Sequence, residues 1–321
     1  MRILIVVLLA ACVSSQSPAA PQEAPGVGFS HADLDRALAR FVDDRGRVDY
    51  TALAADPADL NRYVAQLAAV SPDNQPDRFP TSQARLAYWI NAYNAAVLKL
   101  VLQYYPIASV RDVRPPTLLF FLPRLSGFFY FERVALGGER MNLYDLENSV
   151  IRQRFPDPRV HFALNCASRG CPRLPRQAFT AERLDDELDR ETRQFLAEPR
   201  NLTVDPSRRT VFLSSIFSWY EDDFLASERR SGSTEPTLLG YVGRNSSVEQ
   251  AAQIAGCQGC RVSFVPYDWR LNDHEDDFIR PNLVLMETLR KPLMRPFPKD
   301  HPKETNFPRM VLLVNESHST T

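Results

Sequence analysis

One long apolar segment constrains the fold of this chain more than any other feature. Residues 81–105 read TSQARLAYWINAYNAAVLKLVLQYY, and apolar side chains recur on nearly every face of a helix built from them. Such a helix needs neighbours on all sides, so the segment predicts a central buried helix over about 82–104. Pro106 ends it, because proline cannot continue a helix.

Shorter patterns around this segment predict a mixture of helices and strands. Helical periodicity is found in four segments, 31–42, 59–70, 142–155 (with Asn142 as its N-cap) and 181–196. Extended structure is predicted in five, 46–50, a hairpin within 118–138, 159–165, 210–215 and 261–269. Helices that come first and strands that are interleaved later indicate an α+β fold, with one main domain and a small mixed or antiparallel sheet.

The first residues carry the signals of export. Arg2, an apolar run and two alanines form the layout of a signal peptide over 1–11. The sequence Leu-Ala-Ala-Cys ending at Cys12 resembles a bacterial lipobox, so Cys12 is the predicted lipidation site. Residues 12–28, rich in Pro, Ser and Ala, are predicted to be a flexible tether. The alternative is an ordinary signal peptide that is cut a few residues later, which would give a secreted soluble protein.

These features place the protein in the cell envelope, anchored by lipid and facing the periplasm or the exterior. The globular domain is expected at 29–277, followed by a basic, proline-containing extension at 278–321. A net charge of −1 gives no reason to expect nucleic acid. The mature chain has no apolar run long enough to span a bilayer, so the lipid is the only predicted membrane contact. The expected partner is a small molecule or peptide, and the oligomeric state stays open.

Four cysteines remain in the mature domain. Cys166 and Cys171 lie in HFALNCASRGCP, and Cys257 and Cys260 lie in GCQGC. Paired cysteines persist as disulfides in an oxidising compartment, and four allow three connectivities. A Cys166–Cys171 bridge therefore competes with a free thiol at Cys166. A zinc site built from all four cysteines is a further alternative, which export disfavours. No cofactor and no metal are predicted.

A free Cys166 would suit thiol-dependent acyl or peptide chemistry. In that hypothesis Cys166 is the nucleophile, His161 is the base or orienting group, and Asn165 or Ser168 gives polar support. Arg169 would add positive potential. In a regular strand His161 and Cys166 point to opposite faces, so the dyad requires Cys166 to have turned into the following loop.

Three polar residues fall on helix faces that are otherwise apolar. Asn91 and Asn94 lie three positions apart and project from one side of the central helix. They either bond the backbone of a neighbouring loop or face a polar pocket, because a buried amide without partners is costly. Glu147 lies on the core face of its helix, where it is either an acid or base or the partner of a nearby cation. The cationic candidates are Arg152, Arg159 and His161.

Six motifs together resemble the family catalogued as domain of unknown function 547, over about residues 40–273. In chain order they are GRVDYTAL, AYWINAYNAAVLKLVLQYYPIASVRDV, LYDLENSVIR, DPRVHFALNCASRGCPRL, SIFSWYEDDF and PYDWRLND. The resemblance implies no stated activity, and GCQGC lies outside its pattern. It does imply that a set of positions acts together: Trp89, Asn91, Tyr93, Asn94, Glu147, Arg152, Arg159, His161, Asn165, Cys166, Ser168, Cys171, Tyr267, Asp268 and Asn272.

Two functions follow as hypotheses. The first is a thiol-dependent enzyme acting on acyl or peptide bonds, with the catalytic residues Cys166, His161, Asn165 and Glu147. Its ligand contacts would be Asn91, Asn94, Arg159, Ser168, Arg169, Tyr267 and Asp268. The second is a non-catalytic, disulfide-stabilised envelope module that binds a ligand or a protein through the same polar residues.

Overall fold

The computed structural model describes residues 28–119, 122–257 and 259–274. The predicted signal peptide, Cys12 and the C-terminal extension lie outside the described residues. The α-helices within them are α1 (Ala32–Phe41), α2 (Tyr50–Ala55), α3 (Ala58–Ala69), α4 (Ser82–Tyr104), α5 (Leu143–Asp145), α6 (Leu184–Ala197), α7 (Ser215–Trp219), α8 (Glu221–Arg230), α9 (Leu238–Asn245) and α10 (Val248–Gly256). The strands are β1 (Arg133–Leu136), β2 (Glu139–Asn142), β3 (Leu202–Asp205), β4 (Thr210–Ser214) and β5 (Arg261–Val265).

The central helix is confirmed. Helix α4 begins after Thr81, whose hydroxyl accepts the backbone N–H of Ala84 at 3.0 Å and so satisfies a free donor of the first turn. Its residues 86–98, 100 and 101 are all buried. Apolar side chains around the whole circumference therefore have neighbours on every side, as the sequence pattern requires.

Two small sheets accompany the helices. Strands β1 and β2 form an antiparallel hairpin, and β3, β4 and β5 form a mixed sheet in which β4 pairs antiparallel with β3 and parallel with β5. The described residues are about 54% helix and 11% strand, which confirms the α+β class. None of the helices in the described ranges is long and apolar enough to cross a membrane.

The hairpin lies later in the chain than the sequence predicts. Its two-residue turn is Gly137-Gly138, and both glycines have positive φ (60° and 90°), which is the conformation that a tight hairpin turn requires. The aromatic residues before it do not form the first strand. Gly127–Phe131 is instead a short π-helix, and the prediction that 118–138 forms the hairpin is wrong for that part.

The prediction of extended structure at 159–165 is also wrong. Pro158–Phe162 forms a 3-10 helix, because Pro158 occupies its first position and the Asp157 carboxylate accepts the backbone N–H of Arg159 at 2.9 Å. Successive side chains therefore do not alternate between two faces as they do in a strand, and His161 and Phe162 are both buried.

The hydrophobic core consists of two clusters. The first surrounds α4 and includes residues of α1, α3 and the π-helical continuation of α5 (Leu146–Arg152). The second lies between α6, the mixed sheet and α7 to α9, with Phe162 and Phe217 at its centre. Cys166 packs against the first cluster and Tyr267 against the second. The loop that carries Cys166, the predicted nucleophile, and Cys171 therefore lies where the two clusters meet.

Candidate functional site

Asn165 shapes the loop that follows the 3-10 helix. Its amide nitrogen donates to the carbonyl of Pro172 at 2.7 Å, and its amide oxygen accepts the backbone N–H of Ala167 at 2.9 Å. Ala167 has a φ of 58°, in the left-handed region that residues with a Cβ seldom occupy. These contacts reverse the chain after Cys166 and bring Cys171 back beside it. The Asn165 side chain thus closes the loop through its hydrogen bonds.

The four described cysteines form two pairs at disulfide distance. Cys166 and Cys171 have Cα atoms 6.1 Å apart, and Cys257 and Cys260 have Cα atoms 5.5 Å apart, both within the range that a bridge requires. Cys171 is buried, whereas Cys166 is half-buried. The sulfur predicted as the nucleophile is therefore paired with its neighbour.

Two hydroxyl groups lie against the Cys166–Cys171 pair. The Tyr267 hydroxyl is 3.1 Å from Cys171 Sγ and 3.2 Å from Cys166 Sγ, and the Ser168 hydroxyl donates to Tyr267 Oη at 3.2 Å. Burial raises the pKa of Tyr267, so its phenol stays protonated at neutral pH. A Cβ at Gly170 would be 2.9 Å from the Tyr267 ring, which explains the glycine at this close approach. The ring is thus held directly over the bridge.

The segment after β5 that carries Tyr267 is bonded to the loop along its backbone. Arg169 N–H donates to the carbonyl of Arg270, and Gly170 N–H donates to the carbonyl of Asp268, both at 2.8 Å. Arg200 closes the other side, where its guanidinium donates to the carbonyls of Arg169 (2.5 Å) and Cys171 (3.1 Å). The loop is therefore fixed from two directions.

His161 has other partners than Cys166. Its Nε2 lies 2.8 Å from Asp223 Oδ2, and its ring stacks on Tyr220 with centroids 3.8 Å apart. Burial lowers the pKa of His161, and the Asp223 carboxylate opposes that shift only in part. No hydrogen bond joins the imidazole to Cys166 among the described residues. The proposed dyad therefore has no direct contact in this structure.

The Asp223 carboxylate is stabilised in its charged form. Burial raises its pKa, but hydrogen bonds from His161 and Arg152 outweigh that effect, and the net pKa lies below the ordinary value. Arg152 Nε donates to the same oxygen at 2.7 Å. Because Asp223 is ionised and can only accept, Nε2 of His161 carries the proton of their hydrogen bond.

Glu147 is half-buried and bound by two phenols. Tyr220 donates to one carboxylate oxygen at 2.5 Å and Tyr93 donates to the other at 3.2 Å. Burial and the Glu147 charge both raise the pKa of these tyrosines. Arg159 is not a partner of Glu147. It pairs instead with Asp157, Asp185 and Asp189 on a separate surface groove.

Asn91 and Asn94 are buried and bonded to backbone. The Asn91 amide donates to the carbonyl of Phe179 at 2.8 Å and accepts its N–H at 2.9 Å. The Asn94 amide does the same across the start of the cysteine loop, with Ala163 O at 2.9 Å and Asn165 N at 2.9 Å. The structure therefore favours the loop-bracing alternative for both, and neither lines the cavity described next.

A cavity of about 590 Å³ opens beside the cysteine loop. Its wall includes Gly170 and Cys171, together with the predicted ligand residues Ser168, Arg169, Tyr267 and Asp268. Six arginines line it against three acidic residues, a surplus of three positive charges. The arginines are Arg45, Arg47, Arg169, Arg173, Arg200 and Arg270, and the acidic residues are Asp44, Glu198 and Asp268. Glu191, which binds Arg173 through two hydrogen bonds of 2.7 and 2.9 Å, offsets one of these charges from outside the lining.

Sequence reasoning missed most of this cavity and the partner of His161. Five of the six arginines are absent from the predicted site, because they come from segments far apart in the chain and no local pattern connects them. Asp223 and Tyr220 lie in the motif SIFSWYEDDF, which was identified but given no role in the site. An acidic residue at the start of a helix in that motif was the available signal.

The structure gives the zinc hypothesis no support within the residues it describes. Each cysteine sulfur there lies at bonding distance from its own pair partner. Across the described ranges, no group of three or more His, Cys, Asp or Glu side chains is arranged to hold a metal ion.

Comparison with known proteins identifies one family. Residues 77–196 match the family model described as Protein of unknown function, DUF547. The matched segment includes α4, the Glu147 helix and the whole cysteine loop, whereas SIFSWYEDDF and PYDWRLND lie after it. Neither the curated proteins nor the solved structures gave a match. The resemblance is confirmed over this range: the segment 77–196, which carries the central helix and the cysteine loop, matches the DUF547 family model.

Proposed function

We propose that this protein binds a small anionic ligand in the arginine-lined cavity. The observation that carries the proposal is the surplus of positive charge in the cavity lining, six arginines against three acidic residues. Guanidinium groups bind carboxylates and phosphates through paired hydrogen bonds, and a cavity of this size suits a small molecule. A compact ligand with two or more negative charges is the class that fits.

Binding has better support here than acyl or peptide transfer through Cys166. A thiol nucleophile must be free and must have a base within hydrogen-bonding reach. Cys166 is at bonding distance from Cys171, and His161 is engaged by Asp223. The cavity wall, by contrast, contains four of the residues expected to contact a ligand: Ser168, Arg169, Tyr267 and Asp268.

The proposed location is the cell envelope, with Cys12 as a lipid anchor. The signal-like residues 1–12 and two cysteine pairs at disulfide distance support export to an oxidising compartment. Fractionation of cells tests this proposal. Wild type is expected with the membranes and the variant Cys12→Ala in the soluble fraction, and equal distribution of the two would contradict the anchor.

Calorimetric titration with inorganic pyrophosphate at low ionic strength tests ligand binding. Two exposed cavity arginines are replaced in the variant R45Q/R270Q, and the exposed Arg193 outside the cavity is replaced in the control R193Q. The double variant is expected to bind about 100-fold more weakly, since each charge-assisted contact is worth about tenfold. R193Q is expected to bind like wild type.

Two results would contradict the proposal. Wild type that does not bind pyrophosphate lacks the predicted site. Equal loss of affinity in R193Q would show that net charge, and not the cavity, attracts the anion. Circular dichroism of each variant confirms that the fold is intact.

A further inference from the structure

Polar donors surround both sulfurs of the Cys166–Cys171 pair, and in the described structure Cys171 has one more than Cys166. The hydroxyls of Ser168 and Tyr267 lie 3.1 and 3.2 Å from Cys166 Sγ. Cys171 Sγ accepts the backbone N–H of Cys166 at 2.9 Å and the hydroxyl of Tyr267 at 3.1 Å. The Ser168 hydroxyl lies 3.3 Å from the same sulfur and donates to Tyr267, which orients the phenol. Donors of this kind stabilise a thiolate far more than a neutral sulfur.

The second pair in the chain lacks this arrangement. Among the described residues, no side-chain hydroxyl and no backbone N–H donates to the sulfur of Cys257 or Cys260. A bridge that only braces the fold needs no donors at sulfur, because a disulfide carries no charge to stabilise. The donors around Cys171 therefore point to a state in which that sulfur is a thiolate.

The two sulfurs of the first pair also differ in access. Cys166 is half-buried and Cys171 is 3% exposed. An external thiol reaches Cys166 more easily, and the sulfur that departs is then Cys171, which accepts a backbone N–H in addition to the Tyr267 hydroxyl. Exchange is faster when the leaving thiolate is stabilised, since a leaving group of lower pKa departs faster.

We propose that Cys166–Cys171 is an exchangeable disulfide that small thiols reduce by attack at Cys166, with Cys171 as the leaving group. This thiol–disulfide exchange goes beyond the proposed anion binding and does not depend on it. Its co-reactant is a low-molecular-weight thiol.

The exchange proceeds in two balanced steps. The sulfur of an external thiolate bonds to Cys166 Sγ, the Cys166–Cys171 bond breaks, and Cys171 leaves as a thiolate that Cys166 N–H and the Tyr267 hydroxyl stabilise. A second external thiolate then attacks the external sulfur of the mixed disulfide and releases Cys166 as a thiolate. Two external thiols are oxidised to one disulfide, the protein bridge is reduced to two thiols, and solvent carries the two protons from the external thiols to Cys166 and Cys171.

The reduction rates of the two bridges, measured in one sample, show how much Tyr267 contributes to the reduction of Cys166–Cys171. Dithiothreitol is added to native protein, samples are quenched by alkylation, and mass spectrometry gives the reduction rate of each bridge. Tyr267→Phe keeps the ring against Gly170 and removes only the hydroxyl. It is expected to slow reduction of Cys166–Cys171 by about threefold to tenfold and to leave Cys257–Cys260 unchanged.

Tyr241→Phe is the matched control. Tyr241 is 3% exposed, and its hydroxyl has no hydrogen-bond partner in the described structure, so its loss is expected to change neither rate. An unchanged rate in Tyr267→Phe would overturn the proposal, as would a native protein in which Cys166–Cys171 resists reduction altogether.

A trapping experiment uses the wild-type protein alone, so it does not depend on the folding of a variant. Native protein is treated briefly with excess 2-mercaptoethanol and quenched with acid, and the mixed disulfide is located by mass spectrometry. Trypsin cleaves after Arg169 and so separates the two cysteines. The adduct is expected on Cys166, and an adduct found on Cys171 alone would refute the assigned direction of attack.

Discussion

His161 donates to Asp223 across 2.8 Å and thereby joins the 3-10 helix before the cysteine loop to helix α8. The His161 side chain is 1% exposed, and Asp223 also accepts Arg152 at 2.7 Å. One carboxylate therefore satisfies two donors that are largely withdrawn from water. The contact holds the residues that precede the loop, and neither His161 nor Asp223 lines the arginine-lined cavity.

Replacement of that carboxylate is expected to destabilise the protein. Asp223→Asn leaves Arg152 without its charge partner and weakens the bond to His161, which should lower the free energy of unfolding by about 2 kcal/mol. Asp222→Asn, at the exposed neighbouring position, removes the same charge and is expected to change it by less than about 0.5 kcal/mol. Urea denaturation measures both, and equal effects would contradict a specific role for Asp223.

The two amides of α4 give a second prediction. Asn91→Ala removes both hydrogen bonds from the buried backbone of Phe179, and we expect a loss of about 2 to 4 kcal/mol in unfolding free energy. Asn61→Ala, at an exposed position on α3, is the control and should cost little. A small effect of Asn91→Ala, measured by thermal or urea denaturation, would show that water replaces these bonds.

Helices α1, α3, α4 and α6 were predictable from sequence because each repeats an apolar pattern over several turns, whereas α2, α7, α8 and α9 were not predicted. Helix α4 is the clearest case, and Asn142 was identified as an N-cap, which it is, since its side chain accepts the backbone N–H of Asp145. The 3-10 helix at Pro158 was missed because an alternating apolar pattern also suits a strand. In that segment the local effects of Pro158 and the Asp157 cap decided the conformation.

The candidate site was predictable only where its residues are close in sequence. Cys166, Ser168 and Cys171 were found together in one motif, and Tyr267 through a second motif. The cavity arginines come from stretches as distant as Arg45 and Arg270, and only the folded chain brings them to one wall. Their charges gave no signal, because a net charge of −1 conceals a local surplus.

Acid is expected to weaken the fold through His31. Burial lowers the pKa of His31 from 6.5 to about 4, and the hydroxyl of Tyr63 lies 2.8 Å from its Nδ1. Between these two pH values the unfolded chain binds a proton that the folded chain does not, so stability falls as the pH drops from 6.5 towards 4.

His31→Gln isolates that contribution. Between pH 7 and pH 4.5 the unfolding free energy of wild type is expected to fall by about 1 to 2 kcal/mol more than that of the variant. Urea titrations at both pH values give the comparison, and all other titrating groups are common to the two proteins. Parallel losses in both proteins would exclude His31 as the cause.

The most direct test is whether Cys166 Sγ is bonded to Cys171 Sγ. The loop that this bond closes lines the cavity, and the bond itself is the one that we propose exchanges. Tryptic digestion of unreduced, alkylated protein separates VHFALNCASR from GCPR, two peptides that only a Cys166–Cys171 bond can hold together. One linked species with the summed mass of both peptides less two hydrogens is expected. Two separate alkylated peptides, or a link from either one to the peptide that carries Cys257 and Cys260, would contradict it.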